Sequence, residues 1–486
     1  MRRWITGLVV LTVGIAGFAV AGPPPASAAG VPQKLHFAYG PIHVNAGQNM
    51  IQFAVGKVPK PKVDGWIVAI TPNLILPNNT VPPVDVLHLH HAVWINQSRR
   101  DSTSGGGERF FAVGEEKTKL ELPSGYGYKY RASDQWVISY MIHDLVAQPF
   151  NVRITYDITF IPAKNNKKPP TSVIPIWMDV QNGSVYPVFD VHRGSGTNGQ
   201  FTYPDPANNP YPGKRKNTYK LPTAGTFVAA GGHLHPGGLW DDLYVDRGKK
   251  TAHVFRSTAK YFEPAGPVSW DVTLGIAKPD YRLHVKAGDT LRTTTTYDST
   301  RSWYEGMGIL VAWFAPKSTK GIDPFAIKAG NMQVRYTQGH LPENNNHGGN
   351  PDPSLVDPST LPDGPITSNI TSNYYQYSAG DLSNATSIPT VHQGQSIRFR
   401  NTDAPGSGYG TWHTITDCAL PCNLSTGIAY PLADALSEFD SGQLGNAGAP
   451  TAGTLTWDTP TDLPPGTYAY WCRVHPFMRG AFRVVP

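Results

Sequence analysis

Short runs that mix β-branched and aromatic residues with polar ones recur from one end of this chain to the other, each cut off by turn-forming residues. "QWVISYMIH", "VRITYDITFI", "TLRTTTTYD", "GILVAWF", "SIRFRNTD", "TLTWDT" and "AFRVV" are of this kind. Runs of that composition, bounded by Gly, Pro, Asn and Asp, read as strands, and 49 glycines and 45 prolines supply the turns. No segment carries the apolar period of a long helix. The expectation is an all-β protein made of sandwiches. At roughly 100–200 residues per domain the length allows about three of them.

The first residues stand apart. Arg2 and Arg3 precede the apolar run "ITGLVVLTVGIAGFAVAG", which leads into "PPPASAAG". A basic start, an apolar centre and a small-residue A-x-A exit describe a secretory signal peptide, here residues 1–29, cleaved near Ala28 or Ala29. No later run is apolar for long enough to span a bilayer. The expected protein is secreted, with no membrane attachment after cleavage. Its formal net charge is +6, two of those charges coming from Arg2 and Arg3. The clusters "KNNKK", "GKRK" and "RGKK" are short and scattered, which gives no footprint for nucleic acid. Two polar stretches, 162–172 and 340–365, suggest boundaries. They divide the mature chain into 30–168, 172–316, a linker at 317–365, and 366–486.

Export bears on the three cysteines, because thiols outside the cytosol tend to pair. Cys418 and Cys422 in "CALPC" can close a small disulfide loop. Cys472 is left over, and an odd cysteine in a secreted chain needs a reason. It sits in "GTYAYWCRVHPFMRGAF", with His475 and Met478 following at intervals of three. Copper exchanging one electron is served by a thiolate and two imidazoles in a plane with a weak axial thioether. Cys472, His475 and Met478 offer three such donors, and His413 in "GYGTWHTITDC" offers the fourth. A buried free thiol beside an ordinary His and Met is the plainer alternative, but such a thiol is open to oxidation. Zinc fits poorly, since it is bound by Cys, His and carboxylates rather than by thioether.

This pattern resembles the cupredoxins, and "CRVHPFMRG" looks especially like the loop of amicyanin. The resemblance covers about 366–486, including "VHQGQSIRFRNTD" and the closing strand "GAFRVV". It implies a Greek-key sandwich with a type 1 copper held by His413, Cys472, His475 and Met478. A multicopper oxidase is not indicated: in that family histidines flank the type 1 cysteine, whereas Trp471 and Arg473 do so here.

An electron carrier implies a partner centre. Before residue 317 three groups of histidines stand out from others that sit in no motif: His88, His90 and His91 in "VLHLHHAVW", His143 in "WVISYMIHDL", and His233 and His235 in "GGHLHPGGLW", with Met307 following in "WYEGMGILVAWF". On a strand, residues i and i+2 face the same side, so His233 and His235 can converge on one metal. The order HH, H, H-x-H, M over 31–316 resembles the copper type II, ascorbate-dependent monooxygenases typified by peptidylglycine α-hydroxylating monooxygenase and dopamine β-monooxygenase. The resemblance implies two consecutive jelly-roll-type sandwiches with one copper in each. His90, His91 and His143 would hold an electron-storing copper, with His88, which shares a face with His90, able to stand in for His91. His233, His235 and Met307 would hold the oxygen-binding copper and be the catalytic set. Two departures matter. Enzymes acting on peptidylglycine place an arginine where Gly231 stands and a tyrosine where Val311 stands, so a peptidylglycine substrate is not expected. The family's disulfides are missing too, since no cysteine precedes 418.

The function expected is therefore that of a secreted copper-dependent monooxygenase with up to three coppers. It would use O2 to hydroxylate a C–H bond of an organic substrate, with electrons from an external donor relayed by the last domain. The alternative is a non-enzymatic exported protein that buffers or delivers copper.

Overall fold

The computed structural model describes residues 30–486 except 85, 182–186, 206–215, 263–265, 268–269, 302, 327–332, 342–354, 374, 404–411, 424–438 and 446–453. The expected signal peptide lies outside the described residues. The protein is all-β: apart from two three-residue 3-10 turns, every regular element described is a strand. Among the described residues no helix is long and apolar enough to cross a membrane.

The strands fall into three blocks along the chain. In the first, Gln33–Val44 pairs with Phe150–Pro162, which also pairs with Gly65–Ile75. A four-stranded sheet packs against these, in the order Ile51–Val55, Trp136–Asp144, Leu87–Arg100, Gly107–Val113. Phe150–Pro162 shows the half-buried alternation of a sheet with one wet face. Leu87–Arg100 departs from it, because its first four residues are all buried. Those four include His88 and His90, so this stretch is covered on both faces.

In the second block, Trp303–Pro316 lies between Thr171–Asp179 and Gly225–Leu234, antiparallel to both. Thr171–Asp179 joins the two blocks. Its first three residues pair in parallel with Tyr126–Tyr130 of the first block, and the rest pair with Trp303–Pro316. The third block consists of a five-stranded sheet and a four-stranded sheet. Its last two strands, Gly466–Trp471 and Arg479–Val485, form a hairpin whose connection is the Cys472–Met478 loop.

The stretch 317–365 is less of a linker than expected. Gln333–Tyr336 within it pairs with Val272–Ala277 of the second block, and Gln338 reaches the carbonyl of Glu115 in the first. Asp363–Ile366 pairs with Ile388–His392 in the third. Apolar content explains this poorly; backbone pairing at a sheet edge does, since it asks only for an unpaired row of amides and carbonyls.

The cores follow the blocks and also cross between them. The largest cluster holds Trp94, Phe110, Phe111, Tyr128 and Tyr156 of the first block, Met307, Val311 and Trp313 of the second, and Trp412 of the third. Burying large aromatic side chains contributes roughly 1.5–3 kcal/mol each. That shared burial binds the three blocks where no disulfide does.

Candidate metal centres

The loop between the last two strands is closed by its own backbone. Cys472 N–H donates to the Met478 carbonyl at 3.0 Å and Met478 N–H to the His475 carbonyl at 2.8 Å. This turn brings Cys472 and His475 onto His413, which arrives from a separate segment bridged to Leu444. His413 Nδ1 lies 3.1 Å from His475 Nδ1, and the Cys472 sulfur lies 3.8 Å and 3.6 Å from those two nitrogens. All three side chains are fully buried. Thr414 N–H and His475 N–H each point at the sulfur at 3.4 Å. Among the described residues this is the one group of three His, Cys, Asp or Glu whose ligand atoms all lie within 4.8 Å of one another. Met478 is buried in the same apolar cluster as Cys472. Cys418 and Cys422 are joined in a disulfide, and Cys472 is free.

The far edge of the His413 imidazole is accounted for, whereas His475 Nε2 is buried without a hydrogen-bond partner. Asp403 accepts from His413 Nε2 at 2.8 Å. Burial lowers the His413 pKa, but hydrogen bonds and charge from Asp403 and Cys472 outweigh it and raise it to about 9. Burial, then His413 beside it, holds His475 well below the usual imidazole value. A soft cation is what reconciles a thiolate with two imidazoles at these separations, and the donor set fits copper.

The other six candidate histidines lie at the seam between the first two blocks, three of them around Trp270. Its ring centroid is 5.0 Å from His88, 4.8 Å from His90 and 5.2 Å from His235. His90 of the first block and His235 of the second are 4.6 Å apart. The two groups expected to hold separate metals are thus contiguous.

A β-bulge sorts the first group. His88 stands directly opposite His143 across the ladder, and the register then slips between Leu89 and His91. The extra residue is His90. His88 and His143 face each other with centroids 5.1 Å apart, and His90 is 6.2 Å from His143. His91 turns to the other side and lines a cavity with His233 and Met307. His90 still touches His91, their Nδ1 atoms 3.3 Å and their ring centroids 5.5 Å apart, while its ring lies 6.4 Å from that of His88, so both His88 and His91 stay beside His90 as candidate ligands.

Three of these rings share one arrangement. His88 Nδ1 is 2.9 Å from the Val84 carbonyl, His143 Nε2 is 2.8 Å from the Val474 carbonyl, and His233 Nδ1 is 3.0 Å from Glu116 Oε2. The remaining nitrogen of each, Nε2, Nδ1 and Nε2 respectively, is buried without a hydrogen-bond partner. An imidazole fixed by an oxygen acceptor on one edge, with the other nitrogen left bare, is the arrangement of a metal-ligating histidine and the group behind it. Buried polar atoms are otherwise nearly always paired. Burial first, and neighbouring rings next, hold His88 and His90 well below the usual imidazole value and His91 at about 3; burial takes His143 to about 4. All four rings are neutral at ordinary pH.

Glu116 has no spacing signal in the sequence. Burial would raise its pKa, but the charge of His233 and hydrogen bonds from His233, Thr118 and Gly114 lower it, so a carboxylate backs His233. The only hint is "GEEKT", two acids at the end of a buried strand. His235 and Met307 are tied by one hydroxyl. Tyr297 Oη accepts from His235 N–H at 3.2 Å and from Met307 N–H at 2.7 Å.

The cavity lies at the seam, with a volume of about 210 Å³, and Trp177, Arg109 and Glu116 complete the part of its wall nearest the histidines. Gly231 and Val311 also line it and stand opposite each other in register. Arg109 is held by Asp101 at 2.9 Å and stacks on Trp177 at 4.6 Å. The wall is mostly apolar, and its guanidinium is already paired.

No family model and no curated protein matches the sequence. Among solved structures, the chain is similar to a Cu-containing nitrite reductase from Thermus scotoductus SA-01 at 12% identity. The match covers 55% of this chain and 58% of that one, with a TM-score of 0.17. It is also similar to a chain from the atomic structure of Sulfolobus Turreted Icosahedral Virus at 8% identity, covering 59% and 90%, with a TM-score of 0.28. At these scores neither likeness carries an argument, and the reading below rests on the residues of this chain.

Proposed function

We propose that this protein is an exported copper-dependent monooxygenase. It would hydroxylate a C–H bond of a small organic molecule with O2, using electrons that enter through the Cys472 centre. The observation that supports this most is the set of bare, buried nitrogens on His88, His143 and His233, each on a ring fixed from behind; of these rings His233 lines the cavity, together with His91 and Met307. Copper bound there supplies one-electron redox chemistry and the activation of O2.

The chain's own residues do the rest. His88, His90 and His143 would hold one ion, while His233, His235 and Met307, with His91 across the cavity, would hold another. Val84, Val474 and Glu116 fix the rings, so little reorganisation accompanies a change of charge. Tyr297 keeps the backbones of His235 and Met307 in step. The apolar wall excludes water from the guest. With glycine at 231, valine at 311 and Arg109 already paired, nothing among the described residues of the cavity wall answers a substrate carboxylate, which favours an uncharged guest.

The test is copper loading of the purified full chain, with metal counted per chain, thiolate-to-copper absorption recorded, and O2 consumption followed with a reductant and small apolar candidates. Three coppers with substrate-dependent O2 uptake is the expected outcome. Full loading without such uptake would favour the copper-buffering alternative, and one copper per chain would confine the metal to the third block.

A further inference from the structure

The third block docks its metal loop onto the first block at His143. The peptide between Val474 and His475 has its N–H aimed at the Cys472 sulfur, 3.4 Å away, and its carbonyl 2.8 Å from His143 Nε2. One planar, conjugated unit therefore touches the thiolate of one donor set with one end and an imidazole of the other with its opposite end. The same face is sealed on both sides. Trp412, next to His413, is buried in the aromatic cluster of the first block, and Tyr375 packs on His475 with centroids 4.9 Å apart. Gly47 of the first block lies under the loop. A Cβ on it would come within 2.9 Å of Tyr375 and 3.0 Å of Phe477.

We infer that the 474–475 peptide is the electronic contact between the Cys472 centre and the histidine cluster, with His143 as the positioning residue that receives it. This rests on the copper reading above. In the step, one electron leaves the Cys472 centre, which is oxidised, and arrives at the site held by His143, which is reduced. The Nε2 proton stays between His143 and the Val474 carbonyl, so no proton needs to move. An outer-sphere one-electron reductant restores the Cys472 centre. The route explains why His143 spends its Nε2 edge on a carbonyl from another block and keeps Nδ1 bare.

Gly47 provides the test: it offers no candidate ligand side chain, its backbone lies beside His475, so the thiolate-to-copper absorption serves as the control, and its φ of +65° is tolerated by asparagine better than by other side chains. Gly47→Asn and the bulkier Gly47→Arg would wedge the loop away from the first block. Three quantities are read on the copper-loaded full chain: the thiolate-to-copper absorption, the His143 Nε2–H signal in the diamagnetic Cu(I) state, and the rate of electron transfer out of the Cys472 centre after pulsed reduction. Expected is an unchanged absorption with a rate that falls at least tenfold as the Nε2–H signal is lost across the two variants. A rate that stays within twofold of the parent while that signal is lost overturns the inference. Failure to load copper, or no thiolate absorption in the parent, would instead remove the copper reading itself.

Discussion

Glu116 shows how a single side chain sets the character of the seam. Its two oxygens take His233 Nδ1, Thr118 Oγ1 and Gly114 N–H, which leaves His233 with one orientation and one bare nitrogen. Removing a carboxylate behind a ligating histidine costs roughly 10–100-fold in metal affinity. Glu116→Ala should therefore weaken binding at the His233 site by that order while the Cys472 absorption stays constant. Competitive titration with a chelator measures it, and Glu116→Gln, which can still accept a hydrogen bond, should recover part of the loss. Asp179 is a second instructive residue. Burial raises its pKa to about 6 even though Arg109 opposes this. An acid whose folded pKa is raised contributes stability at low pH and loses it as pH climbs through the folded value. Asp179→Asn should thus melt higher than the parent at pH 8, by up to about 3 kcal/mol of stability. Calorimetry below about pH 4, where the unfolded-state carboxyl is also protonated, should find the difference gone.

At the scale of elements, the bulge at His90 decides which imidazoles meet. Period-two reasoning places His88 with His90 and leaves His91 opposite, but it cannot say which of them joins His143, because a slip of one residue is a property of the pairing rather than of the strand. The C-terminal loop was more legible. Cys472, His475 and Met478 lie within one turn, so local spacing nearly fixes their geometry, and only His413 had to be supplied from a distance. Glu116 and Trp270 were not legible: each matters through a contact with the other block, and neither sits in a motif. The same holds for the strand Gln333–Tyr336, whose polar surroundings read as a linker. Gly114 marks a close approach between elements of the seam. A methyl group there would lie 2.5 Å from Glu116 Oε2, 2.7 Å from His233 Cε1 and 3.0 Å from the His90 carbonyl. Gly114→Ala should lower the melting temperature and reduce copper uptake to the Cys472 centre's single ion. Metal analysis of the refolded variant checks it.

For the whole molecule, the all-β architecture was readable from composition and punctuation alone, but the mutual placement of the blocks was not. Their contacts are made by aromatic residues that look like ordinary core in the sequence. Trp412 is the clearest example: it adjoins a candidate ligand of one block and is buried among the side chains of another. Trp412→Ala should cost about 3–5 kcal/mol, and it should loosen the third block from the first before either unfolds. Limited proteolysis followed by mass spectrometry would show a fragment beginning between about residues 340 and 362 released earlier than from the parent. Thr171–Asp179 has a different consequence. Because it is stitched by backbone bonds to one sheet at its start and to another at its end, the halves flanking the histidines are riveted and cannot swing apart like a clamshell. Under the proposed function, a guest of the cavity would have to fit the space these joined blocks leave, and its girth would count for more than its affinity.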